Sequence, residues 1–210
     1  LRLTPIETPK DSYRTLKISS ESLYKVKGSK HFGYAFPAYS IEEVKERLEE
    51  VKKEHHSARH HCYAYRLGLD KKVFRANDDG EPSNSAGKPI LGQIQSFELT
   101  NVFICVVRYF GGVKLGVGGL IDAYRTAAKM AINENSILER HVHHFYKLDF
   151  DYIAMPKVMS LIKELQLEMN EPDFQLSCSL LTDIRMDNAP LLENAINSIH
   201  GAKFKLINVA

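Results

Sequence analysis

From Lys17 onward the hydrophobic pattern changes its period repeatedly, and each change marks an element. KISSESLYKVKGS (17–29) reads as a strand ending at Gly28, and KHFGYAFPAY (30–39) as a second, with KGSK as the hairpin turn between them. Ser40 followed by Glu43 forms a capping box. Val44, Leu48 and Val51 then recur at helical spacing to about His55-His56. HHCYAYRLG (60–68) and KKVFRAND (71–78) alternate as strands around a GLD turn. DDGEPSNSAGKP is turn chemistry, and a helix starts at its serines and carries Ile90, Leu91, Ile94 and Phe97. VFICVVRYF (102–110) is apolar at nearly every position, as a strand covered on both faces requires. A glycine-rich segment follows. A helix over about 119–135 comes next, with Leu120, Ala123, Tyr124, Ala127, Ala128 and Ala131 on its apolar side.

Beyond residue 144 the pattern starts afresh. YKLDFDY is a strand, and MPKVMSLIKELQLEM a helix with Pro156 in its first turn, where a missing N–H is harmless. PDFQLSCSLLTDI is strand, APLLENAINSIHG a helix stopped by Gly201, and AKFKLINV a last strand. Two strands within 170–184 would make the order βαββαβ, the ferredoxin-like plan. The expected organisation is an N-terminal arm over 1–16, a first domain over 17–143 and a second over 144–210.

Charge supports that division. Residues 1–143 carry 22 Lys and Arg against 17 Asp and Glu, a balance of +5, whereas residues 144–210 carry 6 against 9, a balance of −3. A modest basic bias permits a nucleic-acid partner without demanding one. No apolar run approaches the roughly 20 residues that span a bilayer, and the first residues lack the apolar core of a secretory signal. Cys62, Cys105 and Cys178 stand far apart, and Cys105 and Cys178 fall in strand patterns. Buried free thiols in a cytoplasmic protein are the expectation.

Candidate chemistry gathers in three places. VVRYFGGVKLGVGGLIDAY (106–124) holds Gly111, Gly112, Gly116, Gly118 and Gly119. It matches neither dinucleotide nor P-loop spacing, because Ile121 stands where the last glycine of GxGxxG belongs and Val117 where the P-loop lysine belongs. What remains is a helix start with free N–H groups, flanked by Arg108 and Lys114, suited to an anion or a nucleic-acid phosphate. Lys88 and Arg125 are further candidate cations. The structural alternative is that the glycines serve positive φ and close packing, with Arg108 in an internal ion pair. The second place is Asp78, Asp79, Glu81 and Ser83. These could cap the next helix, pair with Arg108 or Arg125, or hold a metal for acid–base work. The third is His60 and His61 at a strand start, pointing to opposite faces, so that at most one meets a cleft. No zinc spacing or nucleophile set accompanies them, and no metal, cofactor or catalytic residue is assigned.

Two of these blocks together, ARHHCYAYRLG…DDGEPSNSAGKPIL and VVRYFGGVKLGVGGLIDAY, resemble the signature of the IMPACT/YigZ family over residues 58–131. Asn84-Ser85 stands where the family has Gly-Thr; Asn tolerates the left-handed conformation, so the turn is expected to survive. With no RWD block ahead of it, the chain resembles the short bacterial form. The resemblance implies an α+β fold in two parts. The first is like the second domain of a small-subunit ribosomal protein and elongation-factor domain IV, with a left-handed βαβ crossover. The second is ferredoxin-like, as in domain V. It further implies a link to translational control, with RNA, the ribosome or a protein as partner.

Three readings follow: an RNA- or ribosome-binding regulator without catalysis, a phosphate-handling enzyme using the acidic and glycine loops, and a protein–protein adaptor. In the first, Tyr109, Phe110 and Tyr124 could stack on bases, with core packing the more natural job for two of them.

Overall fold

The computed structural model describes residues 11–175 and 177–209. The chain divides into two compact units. One comprises residues 13–140; the other holds Asp11, Ser12 and the chain from His141. Helices and antiparallel sheets alternate in both, which makes the class α+β.

The first unit runs β1 (Ser12–Leu16), β2 (Ser20–Val26), β3 (Ser29–Pro37), α1 (Ile41–Glu54), β4 (His60–Leu67), β5 (Val73–Asn77), α2 (Gly87–Ser96), β6 (Val102–Tyr109), α3 (Gly116–Asn133) and β7 (Ile137–His141). The main sheet has the order β2-β3-β6-β4-β5, and β1 pairs with β7 in a separate ribbon. Residues 1–10 of the expected arm lie outside the described residues; from Ser12 the chain is strand.

The apolar run of β6 has a direct cause. It is the central strand, antiparallel to β3 on one side and β4 on the other. Successive side chains point to opposite faces. Val102, Ile104 and Val106 pack with Ile90 and Ile94 of α2 and with Tyr124, Ala127 and Ala128 of α3. Phe103, Cys105 and Val107 pack with Val44 and Val51 of α1 on the other face. Helix α1 begins as its letters require: Ser40 is extended at φ −139° and its Oγ accepts from the Glu43 N–H at 3.1 Å. The Glu43 carboxylate reaches one residue further back than a capping box does, to the Tyr39 N–H at 2.9 Å.

The second unit runs β8 (His143–Asp151), α4 (Met155–Glu164), β9 (Asn170–Phe174), β10 (Ser177–Arg185), a short 3-10 turn at Met186–Asn188, α5 (Ala189–Asn197) and β11 (Ala202–Val209). The 170–184 stretch does hold two strands, paired antiparallel. The sheet order is β11-β8-β10-β9. Tyr146, Leu148 and Phe150 of β8 meet Val158 and Ile162 of α4 and Leu192 and Ile196 of α5 in one core.

The glycine segment differs from its expected form. Helix α3 starts at Gly116, not near Gly119, so Gly116-Val117-Gly118-Gly119 is its first turn. Glycine's low helix propensity hides such a start from pattern reading.

Candidate functional site

Strand register builds the site. His31 of β3 and His60 of β4 both stand directly across from Arg108 of β6, so the three form one row on the α2/α3 side of the sheet. Arg108 is buried, and its Nη1 donates to Glu81 Oε1 at 2.6 Å. The same oxygen accepts from the buried Tyr124 hydroxyl at 2.8 Å. The Cys62 thiol donates to the Asp78 carbonyl at 2.9 Å, and burial pushes its pKa well up, so it is no nucleophile. His31 meets Tyr124 edge-on at 5.3 Å, and among the described residues neither of its ring nitrogens has a hydrogen-bond partner. Burial first, and the Arg108 charge second, lower its pKa to about 4.

The acidic loop is spent on the fold. Asp78 Oδ1 accepts from the Ala86 and Gly87 N–H groups at 2.9 and 2.8 Å, which caps α2 from a distance, and its Oδ2 accepts from the Asn84 N–H at 2.8 Å. Asp79 Oδ2 accepts from the His61 N–H at 2.6 Å, tying the loop to β4. Glu81 is the partner of Arg108. Ser83 is exposed and accepts only a weak bond from the Asn84 side chain at 3.2 Å. Among the described residues no group of three or more His, Cys, Asp or Glu is placed to hold a metal.

An open cavity of about 540 Å³ lies at the end of this row. Arg59, Arg108 and Lys114 line it with His60 and Phe110, and among the described residues no carboxylate does. Arg59 and Lys114 are exposed, whereas Arg108 forms the floor. His60 Nδ1 lies 2.8 Å from the Asp79 carbonyl oxygen. A second hollow of about 330 Å³ shares Tyr109 and Phe110 with the first, and adds Lys30, Phe32 and His55.

The glycines of the segment have different reasons to be there. A Cβ on Gly111 would sit 1.8 Å from the Gly28 carbonyl carbon, so that glycine lets the loop touch the β2–β3 hairpin. Gly112 and Gly116 have φ of 89° and 72°, which an L side chain resists. A Cβ on Gly119 would press on the Leu115 Cβ at 3.1 Å. Gly118 has neither excuse: its φ is not positive and a Cβ there meets nothing within 4 Å. The first turn of α3 carries no acidic residue, and among the described residues no side chain caps it.

Of the expected site residues, the cavity gathers His60, Arg108 and Lys114. His61 faces the other way, its Nε2 3.2 Å from the His55 carbonyl oxygen. Lys88 and Arg125 do not line the cavity, and Arg125 pairs with Asp122 at 2.8 Å along its own helix. Of the two settings expected for Arg108, beside an anion or in an internal ion pair, its Nη1 is found held by Glu81. Sequence reasoning missed Arg59, an exposed cation beside the histidine run whose nearness to Lys114 depends on the long-range β4–β6 register.

A fold and site of this make define a class, and comparison names it. The family described as the Impact N-terminal domain matches residues 27–132, and the chain belongs to the IMPACT family. It is 34% identical over 160 residues to the IMPACT family member YvyE of Bacillus subtilis, covering 76% of this chain and 74% of that one. It is 35% identical over 165 residues to an IMPACT family member of Haemophilus influenzae, covering 76% and 79%. Among solved structures, the crystal structure of a hypothetical protein superimposes with a TM-score of 0.70 at 26% identity, covering 94% of this chain and 98% of that one.

Proposed function

We propose that this chain is a non-catalytic, translation-associated regulator that binds RNA, free or on the ribosome, in the cytoplasm. The observation that carries the reading is the cavity itself: two exposed cations, Arg59 and Lys114, line it over the buried Arg108, and among the described residues no carboxylate does. Lys and Arg around such an opening contact phosphates with little regard to sequence. Gly118 adds to the case, because a helical glycine with open space around it costs stability and favours close approach of a ligand to the backbone. The βαββαβ order of the second unit supports a ferredoxin-like assignment, analogous to elongation-factor domain V. The α1 crossover between β3 and β4, which flank β6, suits the ribosomal-protein-like, domain IV-like assignment of the first. A phosphate-handling enzyme draws no support from the acidic loop, whose carboxylates are bonded to backbone N–H groups, Arg108 and Tyr124.

The test is co-sedimentation with ribosomes, and filter binding to free RNA, over a salt series. Wild type should bind at moderate salt and Arg59→Glu/Lys114→Glu should not, while both give the same circular dichroism. Failure of wild type to bind either target at low salt would remove the reading.

A further inference from the structure

We infer that the nucleic acid is single-stranded: one base stacks on Phe110, in the hollow lined by Phe32 and Tyr109, while the adjoining phosphate lies in the cavity with Arg59 and Lys114. The inference rests on the RNA-binding reading above and specifies its ligand.

Phe110 is the first ground. It directly follows the central strand, yet 60% of it is exposed. The Arg108 guanidinium carbon lies 5.7 Å from its ring centroid, so a held cation steadies the ring. The second ground is adjacency. Tyr109 and Phe110 line both hollows, so a cationic compartment and an aromatic one share a wall. A nucleotide has the same two-part chemistry, an anionic phosphate joined to a flat π-system, and single-strand binders pair a basic groove with aromatic platforms. Among the described residues, neither compartment is lined by a carboxylate that would repel the backbone.

The aromatic compartment is also rigid. The Tyr109 hydroxyl lies 3.0 Å from His55 Nδ1, and its ring meets Phe32 edge-on at 5.8 Å. A platform held in place loses little freedom when a base settles on it. In a duplex the base faces are covered by their neighbours, so only a single strand or an unpaired loop offers a face to Phe110.

The chain contains no tryptophan, which supplies a clean probe. In Phe110→Trp the sole indole sits where the base is placed. The ligand is an oligonucleotide of about ten nucleotides, within the span of known single-strand sites. Its controls are an abasic strand of equal length and a matched duplex. The normal strand should quench the indole. The abasic strand should bind without quenching and at least about five-fold more weakly, as one lost stack implies. Phe110→Ala, read by anisotropy, should lose that factor for the normal strand and nothing for the abasic one. Equal affinity for normal and abasic strands with no quenching would overturn this inference and leave RNA binding standing. Binding by none of the three would overturn both.

Discussion

Glu81 Oε1 lies 2.6 Å from Arg108 Nη1, with both side chains less than a tenth exposed. The loop that looks chemically richest in the sequence is thus fastened to the central strand by a buried ion pair. Removing one partner of such a pair leaves an uncompensated charge. Glu81→Ala should cost about 3–5 kcal/mol in urea unfolding. Replacing Glu81 and Arg108 together by Met should cost less than Glu81→Ala alone. A loss under about 1 kcal/mol for Glu81→Ala would show that the pair does not hold the loop.

Gly118 separates folding from function. It lies in the first turn of α3 with open space where a Cβ would be. Gly118→Ala should therefore stabilise the protein by about 0.4–1 kcal/mol, because alanine restricts the unfolded chain and suits the helix. The same methyl group should weaken RNA binding if the backbone is approached closely. Gly116→Ala, at φ 72°, should destabilise instead. Thermal melts and anisotropy titrations of both variants check the pair of signs; unchanged RNA affinity in Gly118→Ala would detach this glycine from binding.

His31 gives the fold a pH dependence of fixed sign. Its pKa falls from 6.5 to about 4 in the folded protein, through burial and the facing Arg108, against a smaller opposing pull from Glu81. Between these values the unfolded chain binds a proton that the folded chain refuses. Stability is therefore fully present above about pH 6.5 and declines as the pH falls toward 4, by about 3 kcal/mol from this group. The pKa of His61 is lowered as well, chiefly by burial, and acts with the same sign. His31→Phe keeps a ring against Tyr124 and removes the titration, so it should flatten the urea midpoint between pH 4 and 6.5. An unaltered slope would assign the dependence elsewhere.

Local letters carry local structure well in this chain. VFICVVRYF announces a strand covered on both faces because the side chains from Val102 to Val107 answer alternately to the two helix layers. Asn84 was expected to tolerate a left-handed turn, and its φ is 61°. What the letters withhold is long-range partnership. ILERH, largely polar, gives no sign that β7 pairs with β1. The acidic cluster offers a carboxylate for Arg108 as one role among several, but only the folded loop selects Glu81 over Asp78 and Asp79. The same limit hides Arg59, which reaches Lys114 only through the register of β4 on β6.

The central claim, that Arg59 and Lys114 read phosphates, is tested most directly by the salt dependence of affinity. The logarithm of the association constant for a single-stranded oligonucleotide is measured against the logarithm of salt concentration, for wild type and Arg59→Ala/Lys114→Ala. Each lost phosphate contact lowers the slope by about 0.7, so the double variant should bind more weakly with a slope shallower by about 1.4. An unchanged slope and affinity in a folded double variant would contradict the account and place any nucleic-acid contact away from this cavity.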